Sequence, residues 1–136
     1  MPEALKRVAR YCLCITIVSV AFLGANAGTV FADKTSVAIS APDSAAPGSE
    51  ITIRVTATHS ANNFLHYTDW LYVTVNGKEI ARWNFTRSKK PEGSVFTREI
   101  KYTVNENAEI KAEGHCNMHG SKGPATAQVS VAAPAN

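Results

Sequence analysis

The chain has 136 residues, enough for one domain of ordinary size. Its 14 basic and 11 acidic residues give a formal net charge of +3. Most of that excess lies at the extreme N-terminus, and nothing in the sequence reads as a phosphate-binding surface, so no nucleic-acid partner is expected.

Lys6, Arg7 and Arg10 precede Tyr11 to Leu23, a run that is almost wholly apolar. Two small-residue cleavage patterns follow, Ala25-Asn26-Ala27 and Val30-Phe31-Ala32. This is the pattern of a secretory signal peptide over residues 1–32, with one domain over 33–136. The apolar run is shorter than the ~20 residues that span a bilayer. The leader takes three basic residues and one acidic residue with it, so the remainder carries eleven against ten, a net +1. A periplasmic or secreted protein with no membrane contact after cleavage is expected. Of the three cysteines, Cys12 and Cys14 fall in the leader and Cys116 alone remains. Exported proteins usually carry cysteines in pairs. A lone exported thiol is an intermolecular disulfide, a nucleophile or a metal ligand, and the nearby His119 favours the ligand.

In chain order, Val37 and Ile39 open with a short apolar alternation, and Ala41 to Gly48 reads as a turn-rich connection. Ser49 to Thr58 is the cleanest strand, with Ile51, Ile53, Val55 and Ala57 on one face and His59 continuing that parity. Residues 60–66 read as a loop, Trp70 to Val75 as a strand, and Asn76-Gly77 as a tight hairpin turn. Glu79 to Phe85 returns, 86–93 is a basic turn, and Phe96 to Val104 is the next strand. Ile110 and Ala112 begin a strand that runs into Cys116, and Ala125 to Val131 forms the last. About seven short strands without an amphipathic helix predict an all-β, immunoglobulin-like β-sandwich.

The stretch that carries chemistry is Gly114-His115-Cys116-Asn117-Met118-His119-Gly120. Cys116 shares the inward parity of Ile110 and Ala112, and the glycine behind His119 suits a tight turn. His59 and His66 flank a loop fifty residues upstream. If the loops share one end of the sandwich, three imidazoles and a thiolate converge as a transition-metal site. His115 has the opposite parity and is expected at the surface. Met118 is expected to pack.

Cys116-Asn117-Met118-His119-Gly120 resembles the C-N-x-H-G signature of the iron-binding domain of superoxide reductases, the desulfoferrodoxin and neelaredoxin family. His66-Tyr67-Thr68-Asp69-Trp70 is similar to that family's His-aromatic/His-x-x-Trp stretch, and the resemblance covers roughly residues 49–131. It implies an immunoglobulin-like domain holding mononuclear non-haem iron through equatorial histidines and an axial cysteine. On this chain the implied ligands are His59, His66, His119 and Cys116, with Cys116 and His119 as the expected catalytic residues. The implied reaction gives one electron from ferrous iron to superoxide, with peroxide as product after protonation. An external electron-donor protein would be required, and a homo-oligomer stays open.

The chain departs from the family pattern in two places. Residues 33–58 contain neither the fourth histidine of the family's Glu-Lys-His stretch nor its lysine in that setting. The spacing from His59 to His66 is one residue longer than is typical of the family. The rubredoxin-like cysteine centre of some relatives is not expected here. A metal carrier or electron-transfer module binding iron or copper, a thiol carrier and a plain interaction module are the rival readings.

Overall fold

A computed structural model describes residues 33–132, and the expected signal peptide on residues 1–32 lies outside the described residues. Alternation of apolar and polar residues sets the strands: β1 (Ser36–Ser40), β2 (Ser44–Ala45), β3 (Ser49–Thr58), β4 (Thr68–Val75), β5 (Lys78–Asn84), β6 (Val95–Val104), β7 (Ala108–Cys116) and β8 (Ala125–Val131). They form a three-stranded sheet, β1-β3-β6, and a five-stranded sheet, β2-β8-β7-β4-β5. The expected all-β, immunoglobulin-like sandwich is the fold.

Each sheet buries one face against the other. Ile51, Ile53, Val55 and Ala57 of β3 meet Leu71 and Val73 of β4 and Ile110 and Ala112 of β7 in a common core. A fully buried side chain of this size contributes roughly 1.5–3 kcal/mol relative to exposure. The outer face of the smaller sheet carries exposed ion pairs such as Arg54–Glu99. Such pairs add little to stability but keep that face soluble.

The β4–β5 turn is Asn76-Gly77 as the sequence predicts, with φ of 49° and 79°. Both residues occupy the left-handed region, which matches the twist of a two-residue hairpin.

Two features depart from the expected elements. Ala41–Gly48 is not wholly a turn, because Ser44 and Ala45 pair in parallel with Ser130 and Val131 of β8. That makes eight strands rather than seven, and a two-residue bridge is too short to leave a periodic signal. The second feature is a bulge between β4 and β7: Thr68 faces Cys116, but Trp70 faces His115. Asp69 is the extra residue, and the bulge re-aims the side chains beside the end of β7.

Candidate metal centre

β7 delivers Cys116 inward at its last residue, fully buried as the parity predicts. The chain then reverses at once. Cys116 and Gly120 exchange both backbone hydrogen bonds, at 3.0 and 2.9 Å, closing a tight turn. Gly120 adopts φ of 84°, a conformation that disfavours any residue with a Cβ. The turn aims the Met118 and His119 backbone N–H groups at the Cys116 sulfur, each at 3.4 Å. It also returns the His119 ring toward the same point, with Nδ1 3.8 Å from Sγ.

His59 comes from the end of β3 and is 1% exposed. His66 lies just before β4, and the two Nε2 atoms are 3.0 Å apart. His66 Nε2 is also 2.9 Å from His119 Nδ1. His59, His66 and Cys116 each offer a ligand atom within 4.8 Å of the others. The structure therefore gathers all four residues singled out in the sequence, His59, His66, Cys116 and His119, from two loops at one end of the sandwich. Burial, with His59 and His119 alongside, holds His66 below the usual imidazole range, and Asp33 opposes that shift. A neutral ring keeps a lone pair for a metal.

His115 does not join them. Its Nδ1 lies 2.7 Å from Asp69 Oδ1, and its ring stacks on Trp70 with centroids 4.9 Å apart. The Asp69 bulge brings both partners to the outer face beside it, so parity and bulge together remove His115 from the centre. Met118 departs from expectation. Its side chain is 62% exposed rather than packed.

Several positioning residues were not found from the sequence. Asn62 is the most consequential. Its Nδ2 donates to Gly93 O at 2.7 Å, so its Oδ1 is the acceptor for Thr68 N at 2.7 Å and His59 Nδ1 at 3.3 Å. His59 must then carry its proton on Nδ1, leaving Nε2 free to face the centre. Asn117 ties the two loops, accepting from Tyr67 N and donating to Leu65 O, both at 2.9 Å. Asn63 Oδ1 accepts from Leu65 N and His66 N, shaping the turn before His66. Burial would raise the Asp33 carboxyl, but hydrogen bonds from Ser60 outweigh it and hold that carboxyl below its usual range. An asparagine between two histidines was the available signal, although asparagine is so common in loops that it singles out nothing by itself.

Asn62→Ala should lower metal affinity by roughly 10–100-fold, the usual cost of losing an outer partner of a ligating histidine. A competitive chelator titration measures it. Unchanged affinity would show that His59 is oriented by packing alone.

Comparisons with known proteins give the family and the fold. The Desulfoferrodoxin family profile matches residues 28–121. The chain belongs to the desulfoferrodoxin family. A superoxide reductase (neelaredoxin) from Ignicoccus hospitalis superposes with a TM-score of 0.59 at 20% identity, over 74% of this chain and 84% of that one. A putative superoxide reductase from Thermotoga maritima gives 0.56 at 19% identity, over 72% and 86%. The sulfur carrier protein SoxY from Chlorobium limicola f thiosulfatophilum gives 0.53 at 13% identity, over 71% and 79%. At these identities the likenesses establish the fold. No curated protein sequence matches the chain.

Proposed function

We propose that this chain is an exported mononuclear non-haem iron protein that reduces superoxide to peroxide. The observation that carries the reading is the convergence of His59, His66 and Cys116 ligand atoms within 4.8 Å, with His119 Nδ1 2.9 Å from His66 Nε2. Membership of the desulfoferrodoxin family and the superoxide reductases among its structural neighbours support it.

The residues fit the ion. Three imidazoles and a thiolate form a donor set suited to iron, and copper is the rival that the same chemistry allows. Iron bound there would supply the single electron that superoxide takes up. Cys116 would contribute electron density from its sulfur, and the Met118 and His119 N–H groups would temper that density. Asn62 would hold the His59 ring in one orientation, and the buried walls would limit water around the ligands. His115 is engaged by Asp69, so the chain's histidines provide three nitrogen ligands in place of the family's four.

A thiol-carrier role, in the manner of the sulfur carrier neighbour, fits less well. Cys116 is 0% exposed and ringed by imidazoles, so its sulfur is poorly placed for loading by a partner. Export to the periplasm or beyond rests on the basic, apolar and small-residue pattern of residues 1–32.

The test is metal analysis, visible spectroscopy and intact mass on protein purified from full-length expression with iron supplied. Bound iron, a thiolate-to-iron absorption on oxidation and a chain beginning after Ala27 or Ala32 are expected. A colourless, metal-free protein would overturn the iron centre, bound copper would replace it with a carrier, and an intact Met1 would overturn export.

A further inference from the structure

The outer face of the five-stranded sheet carries an aromatic stack that takes no part in gathering the His/Cys cluster. Strand alternation turns Leu71 and Val73 of β4 into the core, so Trp70 and Tyr72 share the outer face. Register sets their neighbours. Trp70 faces His115 of β7, and Tyr72 lies between Glu113 of β7 and Arg82 of β5. The Trp70 indole stacks on the His115 ring with centroids 4.9 Å apart and planes 10° apart. It also stacks on the Tyr72 ring, at 5.5 Å and 25°.

The stack starts beside the sulfur and ends at a proton acceptor. His115 is joined by one peptide bond to Cys116. At the other end the Tyr72 hydroxyl donates to Glu113 Oε2 at 2.9 Å. Burial and that hydrogen bond push the phenol above its usual range, so at rest it keeps its proton. The Arg82 guanidinium lies 5.8 Å from the Trp70 ring centroid and 5.1 Å from that of Tyr72. Glu79 neutralises it through hydrogen bonds of 3.0 and 2.7 Å, so its charge does little to hold electrons in the rings. Cross-strand packing alone would be satisfied by any pair of aromatic rings. It does not call for imidazole, indole and phenol in that order between a sulfur and a carboxylate.

We infer that Trp70 and Tyr72 form a radical relay that carries oxidising equivalents from the Cys116 end of β7 to the outer face of the sheet. The inference rests on the iron-centre reading above for the source of the oxidant, and adds a defence of the centre against its own product. Peroxide takes two electrons and two protons to become two waters, one electron more than a ferrous ion gives on becoming ferric. Trp70 supplies the second electron through the His115 ring and the peptide link to Cys116. Tyr72 then refills Trp70. Its O–H bond breaks, the electron passes to the indole and the proton to Glu113. The phenoxyl radical left on Tyr72 takes a hydrogen atom from a small thiol or hydroquinone, and Glu113 releases its proton to water. Without the relay the second electron comes from the Cys116 sulfur, which climbs towards sulfenic and sulfinic acid.

The relay is tested first without metal, by pulse radiolysis with azide radicals on the purified, metal-free protein. Tryptophanyl radical absorption should give way to tyrosyl absorption in a first-order phase independent of protein concentration. Tyr72→Phe and Trp70→Phe should each lose that phase, and Glu113→Gln should slow it. Trp83→Phe should keep it, because Trp83 packs against the core from the opposite face of the same sheet. Circular dichroism checks that each variant is folded. An unchanged phase in folded Tyr72→Phe would overturn the inference. In iron-loaded protein treated with peroxide, electron paramagnetic resonance should detect a tyrosyl radical that Tyr72→Phe lacks. Intact mass should then show more oxygen added at Cys116 in Trp70→Phe than in the parent. Equal oxidation of Cys116 in the two would overturn the protective role. A protein that passes the radical from Trp70 to Tyr72 but binds no iron would sink the centre and keep the relay.

Discussion

Cys116→Ser is expected to strip the metal from the purified protein and abolish its thiolate-to-iron absorption. The argument is chemical before it is geometric. Sulfur is the soft, strongly donating member of the set, and a serine hydroxyl neither ionises readily nor donates comparably to iron. The turn is also built around a large atom, since both the Met118 and His119 N–H groups meet the sulfur at 3.4 Å. A smaller oxygen on a shorter bond draws back from those donors and from His119. The affinity loss should exceed the ~10–100-fold expected for an outer partner such as Asn62. The fold should survive, because the new hydroxyl is smaller than the thiol it replaces and creates no clash, so the cost stays near ~1–3 kcal/mol. Metal analysis with circular dichroism separates the two effects. A folded variant that retains iron and an unchanged spectrum would remove Cys116 from the ligand set.

The second large effect is expected at Gly114, two residues before that cysteine. A Cβ there would meet Thr35 Cγ2 at 2.7 Å and Val37 Cγ1 at 3.3 Å. The nearer neighbour has no room to yield. Thr35 is fully buried, and its hydroxyl is 2.9 Å from that of Thr68. Its backbone is bonded on both sides, Thr35 N to Gly120 O and Lys122 N to Thr35 O. Gly114→Val must therefore push β7 away from the 33–37 segment, moving Cys116 and the Gly120 turn together. Overpacking of this kind costs ~1–3 kcal/mol and more where backbone is in the way. For a domain of this size each kcal/mol lowers Tm by roughly 4–8 °C. A fall of about 10 °C or more, with weakened metal binding, is expected from thermal unfolding and chelator titration. A variant with unchanged Tm would show that the N-terminal segment is not held as described.

The candidate site was legible in the sequence to the extent that its chemistry is concentrated. Cys116 and His119 lie three apart beside a glycine, and His59 and His66 bracket one loop. What supports those residues was not legible. Asn62 orients His59 through a hydrogen bond whose direction depends on Gly93, 31 residues further along the chain. Thr35 reaches across the sandwich to Thr68 and Gly120, partners that no local pattern connects.

The fold divides in the same way. Period-two alternation depends only on neighbouring residues, and the inward faces of β3 and β7 followed from it directly. The left-handed turn at Asn76-Gly77 was equally local. The Ser44–Ala45 bridge to β8 and the Asp69 bulge were not, because a register is a relation between strands far apart in sequence. That bulge matters most for function. Parity alone directed His115 outward, but only the tertiary structure supplied Asp69 and Trp70 to hold it there. Residue types and spacing along the chain thus determined which groups could bind a metal. Which of them meet, and how closely, was decided by strand pairing and loop closure, where hydrogen bonds and packing between distant segments carry the information.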